Sequence, residues 1–281
     1  MKRAVRPELT VEVDENLVKT TDLLDELNYN SGDEERYADA AELALVLPPR
    51  SRFLIADITR LKPLLSDCPE QGFDCVVMDP PWENASAQRS AAYPTLPSRN
   101  LLGIPMKRLL HQERGVLALW VTNRERHRRF IDAELLPAWG LRHVATWHWL
   151  KVTDDGQLVS PLETAYRRPY EVLLLCQPLS AASEAAALQG HDAARHEHAE
   201  KPPKQVSHSA QQPSKPLQNS VIIAVPGQHS RKPHLGRLLA PHLPTQPSCL
   251  EVFARELHAG WTSIGNETLL FQTLDHFIEV Q

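Results

Sequence analysis

The chain has 281 residues, a mass of 31.7 kDa, 42% hydrophobic residues and a formal net charge of −5. The length and composition indicate a globular chain of one large domain. The negative net charge argues against a surface that is basic throughout, but it does not exclude a local basic patch that binds nucleic acid. No apolar run approaches the ~20 residues that a membrane-spanning helix needs, and no apolar secretory signal follows the N-terminus, so we expect no membrane partner.

The predicted elements begin with an N-terminal extension at residues 1–47, of mixed helical and irregular structure. It contains a helix over 17–27 and a short helix over 39–47, which Pro48 and Pro49 end. Residues 48–281 are predicted to form the main domain, interrupted by an Ala-, Gln-, His- and Pro-rich disordered insertion at 178–219. The predicted strands of that domain are 53–57, 74–78, 115–121, 144–152, 171–177, 220–226, 249–255 and 260–267, and its helices are 105–111, 126–139 and 233–241.

Most of these strands are apolar throughout, and helices separate several of them. This pattern is typical of a parallel sheet covered on both faces, which is a doubly wound α/β fold. In such folds ligands bind beyond the carboxyl ends of the strands. The residues predicted at those ends are Asp57, Asp79–Trp82, Thr122–Arg124 and Glu251–Arg255.

The cysteines and histidines suggest no metal site. Cys68, Cys75, Cys176 and Cys249 form no CxxC pair, so we interpret them as buried free thiols in a reducing intracellular compartment. His191, His196 and His198 lie in the predicted insertion, without an evident fourth ligand or rigid spacing. We therefore expect no bound metal.

The tetrapeptide Asp79-Pro80-Pro81-Trp82 closes the strand at 74–78. The two prolines stiffen the loop and remove two N–H donors, so carbonyl and carboxylate acceptors dominate. Such a site suits a planar amine, whose two hydrogens can be held by Asp79 and the Pro80 carbonyl while Trp82 or Tyr93 stacks on the ring. A methyl donor placed in line could then react. The alternative is a plain proline turn in which Asp79 only caps the strand.

Two further features have alternative interpretations. The basic clusters at 124–129 and 166–168 could meet phosphates, but the first also fits a solvated helix face. Alternation along the strand at 144–152 places Trp147 and Trp149 on one face and His148 on the other. We expect the tryptophans in the core, and we favour a satisfied core position for His148 over a place in the acceptor pocket.

The ordered motifs DPPWEN, LWVTNR, WHWLK, RRPYE, HSRKP, LEVFAREL and GWTSIGNE resemble the eukaryotic adenine N6-methyltransferase family. The likeness is greatest to its methyltransferase-like protein 4 branch. It implies a Rossmann-like α/β fold that depends on S-adenosylmethionine, with permuted motif order and a mixed, mostly parallel sheet. It also implies methylation of the N6 amine of adenosine in RNA, specifically 2′-O-methyladenosine in a U2-type small nuclear RNA, and a nuclear location. DNA as the substrate, or an inactive nucleic-acid-binding scaffold, are the alternatives, and no protein partner is evident.

The resemblance also assigns residues to roles. As catalytic residues it implies Asp79, Pro80, Pro81 and Trp82. For the cofactor it implies Asp57, Ile58, Asp79, Lys232, Glu251, Phe253, Arg255, Asn266 and Glu267, while Leu257 stands where the messenger RNA enzyme has a histidine. For the substrate we predict Trp82, Glu83, Asn84, Tyr93, Asn123, Arg124, Arg167, Arg168 and Lys232.

Overall fold

The computed structural model describes residues 23–40, 43–83, 96–164, 168–179, 215–227 and 231–277. The chain divides into two compact units. The first unit combines Met1–Ser66 with Phe253–Gln281, and the second unit spans Asp67–Val252.

The regular secondary structure consists of β-strands and short helices. The strands are β1 (Leu27–Tyr29), β2 (Arg36–Ala40), β3 (Leu43–Leu47), β4 (Arg52–Ile55), β5 (Cys75–Met78), β6 (Val116–Val121), β7 (Leu141–Lys151), β8 (Tyr170–Pro178), β9 (Ser220–Ala224), β10 (Cys249–Val252) and β11 (Trp261–Gly265). The α-helices are α1 (Lys62–Asp67), α2 (Met106–Leu109), α3 (Glu125–Phe130), α4 (Leu136–Trp139) and α5 (Gly236–Leu239). A π-helical turn, Ile131–Leu135, joins α3 to α4, and 3-10 helices cover Ser98–Gly103, Ala240–His242 and Leu274–His276.

The second unit carries a mixed sheet in the order β10-β5-β6-β8-β7-β9. Strands β10, β5 and β6 are parallel, β8 is antiparallel to both β6 and β7, and β9 is parallel to β7. Every residue of β5 and β6 is buried, as their uninterrupted apolar sequences predict. This α/β arrangement with its large mixed sheet confirms the predicted fold class.

Asp74 fixes the amino end of β5. Its carboxylate accepts hydrogen bonds from the backbone and hydroxyl of Ser248, at 2.9 and 3.0 Å, and from Arg114 Nε at 2.8 Å. Burial alone would raise the pKa of Asp74, but these donors outweigh it and hold the pKa below its usual 3.8. Because Ser248 precedes β10 and Arg114 precedes β6, one carboxylate ties the starts of three parallel strands.

The first unit contains paired strands and a hydrophobic core. Strand β4 pairs antiparallel with β1 and parallel with β11, and β2 and β3 form a separate antiparallel hairpin. Leu23, Leu45, Phe53 and Leu257 pack together as its core. Burying side chains of this size contributes roughly 1.5–3 kcal/mol each relative to exposing them.

Several predicted elements differ in the structure. The helix predicted over 39–47 is wrong, because those residues enter the β2–β3 hairpin, where Leu45 and Val46 are buried. The described part of the predicted helix over 17–27 contains no α-helix, and Leu27 begins β1. Residues 180–214 of the predicted insertion lie outside the described residues. The last residues of the predicted insertion are described, and they form hydrogen bonds with β7. Asn219 Oδ1 accepts from the Thr146 N–H at 2.8 Å, and the Gln218 carbonyl accepts from Trp147 Nε1 at 2.8 Å.

Two predictions about side chains met different outcomes. None of the four cysteines forms a disulfide bond and all four are buried, as predicted. Trp147 and Trp149 are buried as predicted, but His148 is exposed at the surface and packs edge-on against Tyr170. The core position favoured for His148 is therefore wrong, because its face of β7 is open to solvent.

No helix in the described ranges is long and apolar enough to cross a membrane.

We predict that Gly265→Ala destabilises the first unit. A Cβ added at Gly265, the last residue of β11, would lie 2.6 Å from the Ala254 carbonyl oxygen and 3.0 Å from its nitrogen. The backbone would have to move, at a cost of about 1–3 kcal/mol. Urea unfolding at neutral pH measures the change. The matched control is Gly103→Ala, since a Cβ there meets nothing within 4 Å; equal stability of the two variants would contradict the prediction.

Candidate active site

The functional side chains of the second unit collect at the carboxyl edge of its parallel strands. Asp79 directly follows β5, and Asn123 and Arg124 follow β6, whose register pairs Met78 with Leu119. Strand β8 runs the opposite way, so its first residues lie at the same edge, with Val172 opposite Val121. Strand β7 then ends there, with Trp149 opposite Glu171. The reversal of β8 therefore brings Glu171 to the edge that holds Asp79, and β7, which runs in the same direction as β6, brings Lys151 there.

A chain of alternating charges joins these residues. Lys232 Nζ donates to Asp79 Oδ2 at 2.8 Å and lies 3.2 Å from Glu171 Oε2. The other carboxylate oxygen of Glu171 accepts from Lys151 Nζ. The side chain of Lys232 is 16% exposed and that of Asp79 is 26% exposed. Asp79, Lys232, Glu171 and Lys151 thus form a continuous ion chain, which we call the charge chain.

The charge chain shifts the pKa values of its two interior members, Lys232 and Glu171. Burial pulls the pKa of Lys232 down, but the carboxylates of Asp79 and Glu171 outweigh burial and raise the pKa above its usual 10.5. Burial likewise pushes the pKa of Glu171 up, yet the ammonium groups of Lys232 and Lys151 prevail and hold it below its usual 4.5. At neutral pH Lys232 is therefore a fixed cation that orients Asp79 rather than a proton acceptor.

Two tryptophans lie against the lysines of the charge chain. Lys151 Nζ is 4.8 Å from the ring centroid of Trp149, and Lys232 Nζ is 5.8 Å from that of Trp120. The two rings meet edge to face, with centroids 6.1 Å apart. Both cations lie within the ~6 Å range of cation–π attraction, which adds to their ion pairs.

The loop of Asp79 is held by Trp82. The Trp82 side chain is buried, and its indole N–H donates to the Trp120 carbonyl at 2.9 Å. Its backbone N–H donates to the Pro80 carbonyl at 2.8 Å, and the Pro81 carbonyl accepts from the Leu96 N–H at 3.1 Å. The ring of Trp82 therefore supports the loop, while its stacking on an adenine stays a prediction.

The other predicted substrate residues of the second unit lie on nearby loops. Glu83 is partly buried, and its carboxylate accepts from the N–H and hydroxyl of Ser98 at 3.4 and 3.3 Å. Arg168 donates to the Tyr170 hydroxyl at 2.6 Å. Asn123, Arg124 and Arg168 are exposed. Asn84, Tyr93 and Arg167 lie outside the described residues.

The predicted cofactor residues of the first unit lie beyond the ends of two parallel strands. Ile55 ends β4 opposite Gly265, and the Ala56 N–H donates to the Gly265 carbonyl at 3.3 Å. Asp57 follows on one strand and Asn266 and Glu267 on the other, all three exposed. Ile58 is buried, and the Asp57 carboxylate accepts from the Thr59 N–H at 2.9 Å. A carboxylate, an amide and a second carboxylate therefore share one edge, a set that suits the hydroxyls of a ribose.

The remaining predicted cofactor residues lie near the end of β10. Glu251 is partly buried on β10 opposite Val77. Phe253 has φ +64°, a left-handed conformation that strains a bulky residue and is typical of functional sites. Arg255 stacks its guanidinium 5.5 Å from the Phe271 ring. Leu257, in contrast, is a core residue of the first unit rather than an edge residue.

Two residues that sequence reasoning missed are Glu171 and Lys151. Each is a charged residue at the end of a long apolar strand: Lys151 closes β7, and Glu171 stands second in β8. Both lie in quoted motifs, WHWLK and RRPYE, but neither received a role. The available signal was that opposite charges flank the connection between two consecutive apolar strands, which antiparallel pairing brings together.

The site contains acceptors and fixed charges. Among the described residues, no group of three or more His, Cys, Asp or Glu side chains is placed to hold a metal ion. The carbonyls of Pro80 and Pro81 and the Asp79 carboxylate make an acceptor-rich loop, and the two prolines supply no N–H. Such a loop can hold an amine by its N–H bonds.

Known proteins match the chain over most of its length. The MT-A70 family matches residues 73–206 and 199–267. A human protein named "N(6)-adenine-specific methyltransferase METTL4" is 38% identical over 84% of this chain and 45% of its own. A Pyricularia oryzae protein named "N6-methyladenosine RNA methyltransferase MTA1" is 32% identical over 85% and 58%, and a Caenorhabditis elegans protein named "DNA N6-methyl methyltransferase" is 28% identical over 81% and 54%. The chain spans about half the length of these curated relatives.

We predict that Glu171→Gln destabilises the second unit in a pH-dependent way. At pH 7 the variant leaves two lysines without their shared carboxylate, at a cost of about 1–3 kcal/mol, since the partly exposed site is screened by water. Because the pKa of Glu171 is depressed, its contribution is present above 4.5 and is lost as the pH falls through the folded-state pKa. Urea unfolding across this pH range should therefore show the gap between the two proteins closing in acid.

The control is Glu125→Gln, which removes an exposed ion pair with Arg129 on α3. Such a pair contributes little, so stability should stay near that of the unmodified chain. A Glu171→Gln deficit that persists unchanged at a pH well below 4.5 would contradict the assignment of the effect to the carboxylate.

Proposed function

The chain belongs to the MT-A70 family, and from this premise we propose that it transfers a methyl group from S-adenosylmethionine to the N6 amine of an adenine in nucleic acid. The observation that carries the proposal is the Asp79 carboxylate, oriented by Lys232 at 2.8 Å in a proline loop rich in acceptors. Relatives whose names specify adenine N6 methylation support the reaction.

The described residues fit the proposed cofactor. Asp57, Asn266 and Glu267 offer oxygen and amide groups for ribose hydroxyls at one edge of the first unit. When bound, S-adenosylmethionine would supply the methyl group. Lys232 stays protonated and fixes Asp79, while its predicted cofactor and substrate contacts stay predictions.

Asp79 and Pro80 hold the amine in this proposal. Lys232 occupies one carboxylate oxygen of Asp79, and the other oxygen can accept one N–H of an adenine amine. The Pro80 carbonyl already accepts the Trp82 N–H but retains a second lone pair for the other N–H. Two acceptors placed this way orient the nitrogen toward the methyl donor, and positioning of this kind supplies much of the rate in such transfers.

RNA is the polymer that we propose, with 2′-O-methyladenosine in a U2-type small nuclear RNA as the target and the nucleus as the location. The resemblance implies this target, and a relative named as an RNA methyltransferase is compatible with it. The exposed guanidinium groups of Arg124 and Arg168 suit phosphate contacts. DNA is the second candidate, because another relative is named as a DNA enzyme. An inactive scaffold is the third.

The deciding experiment supplies labelled S-adenosylmethionine and matched oligonucleotides that carry adenosine, 2′-O-methyladenosine or deoxyadenosine. Nucleosides from the digested products are quantified by mass spectrometry. We expect N6-methylated product from RNA, greatest with 2′-O-methyladenosine. Asp79→Asn should lower the rate by about 100-fold or more, since it removes an acceptor and the partner of Lys232.

The control variant is Asp155→Asn, which changes an exposed turn residue and should leave the rate unchanged. Product from deoxyadenosine alone would replace RNA by DNA. Absence of both product and cofactor binding would favour the scaffold, and an active Asp79→Asn enzyme would remove the proposed role of Asp79.

A further inference from the structure

His127 is a buried histidine that the proposed methyl transfer does not use. It lies on α3, the first helix after β6, and its side chain is 2% exposed. A titratable ring buried this completely must have its two nitrogens satisfied, or it costs free energy. Its partners are therefore informative.

Both ring nitrogens of His127 bond to residues that flank the DPPW loop. Nε2 lies 3.0 Å from the Glu83 carbonyl oxygen, and Nδ1 lies 2.9 Å from the Ser98 hydroxyl. In the neutral ring one nitrogen donates and the other accepts. With its proton on Nε2, His127 donates to the Glu83 carbonyl and accepts from the Ser98 hydroxyl. With its proton on Nδ1, it donates to the Ser98 oxygen and accepts from Arg126 Nε at 3.2 Å. Arg126 also donates to the Glu83 carbonyl at 2.9 Å.

The face of the His127 ring packs on Trp82. The ring centroids are 5.3 Å apart with the planes tilted by 53°. The N–H of the same indole donates to the Trp120 carbonyl at 2.9 Å. Trp82 is thus held between β6 and α3, and both holding groups belong to the second unit, as Asp79 does.

We propose that His127 is a positioning residue that sets the placement of Asp79 through Trp82 and Glu83. Between Trp82 and Asp79 stand only Pro80 and Pro81, whose rings lock their φ angles. Because the φ angles of the two prolines are fixed, a displacement of Trp82 also displaces Asp79. The Trp82 N–H bond to the Pro80 carbonyl, the second proposed acceptor of the amine, stiffens the same path. This inference rests on the proposed function for its kinetic consequence but not for its structural one.

The test compares His127→Phe, His127→Gln and Ser98→Ala in the full chain. Phenylalanine keeps a ring against Trp82 but loses both hydrogen bonds. Glutamine keeps a donor for the Glu83 carbonyl and should rescue part of the effect. Ser98→Ala removes a single partner and stays informative if His127→Phe fails to fold.

Two readouts separate positioning from general stability. The first is hydrogen exchange at the Trp82 and Leu96 amides, which donate to the Pro80 and Pro81 carbonyls. We expect several-fold faster exchange in His127→Phe, less in His127→Gln and Ser98→Ala. The second is turnover per folded molecule on the RNA oligonucleotide, which should fall by about 10- to 100-fold in His127→Phe.

Each outcome decides a different question. Exchange at both amides as slow as in the unmodified chain, in His127→Phe or in Ser98→Ala, would overturn the proposal whatever the kinetics. Full turnover per folded molecule in His127→Phe, with only a lower melting temperature, would make the residue structural and also overturn it. No product from the unmodified chain would contradict the proposed function, while the exchange readout would still decide the placement of the loop.

Discussion

Charge pairing in a partly buried site is the constraint on which the second unit depends. Charges removed from water must be paired, and breaking one pair leaves the partner uncompensated. Asp79, Lys232, Glu171 and Lys151 satisfy this by alternating in sign along the charge chain. Each interior member is shared by two neighbours, so no single contact can change without disturbing the next. The orientation of the proposed catalytic acid is therefore a property of four residues.

The strand directions bring the members of the charge chain together. Parallel strands place only their last residues at the carboxyl edge, which accounts for Asp79 and Asn123. Antiparallel β8 contributes its first residues there, and β7 contributes its last, so Glu171 and Lys151 reach the edge from both sides of one connection. A purely parallel sheet with these sequences would separate the two charges by the length of a strand. The mixed sheet is thus what assembles the charge chain.

The sequence predicted much of this and missed identifiable parts. Strands β5 and β6 were predictable because their uninterrupted apolar runs admit few other environments, and Asp79 followed as a strand-end residue. The hairpin over 36–47 was not, since the Ala- and Leu-rich segment DAAELALVL favours a helix locally while pairing and core packing decide for strands. The resemblance pointed to Lys232, but its bond to Glu171 depends on residues far apart in sequence. His148 was misplaced because alternation predicts which face a residue takes, not whether that face is covered.

The long sequence separation between Asp79 and Lys232 has a consequence for biosynthesis. They stand 153 positions apart, and a ribosome adding ~5–20 residues per second needs roughly 8–30 s between them. Through that interval the nascent chain holds its acid without the lysine that orients it. Loop closure over such a distance also makes this contact entropically expensive to form early. The ion pair can therefore form only after β7, β8 and β9 have been synthesised. The proposed catalytic centre is thus assembled only when synthesis of the second unit is nearly complete.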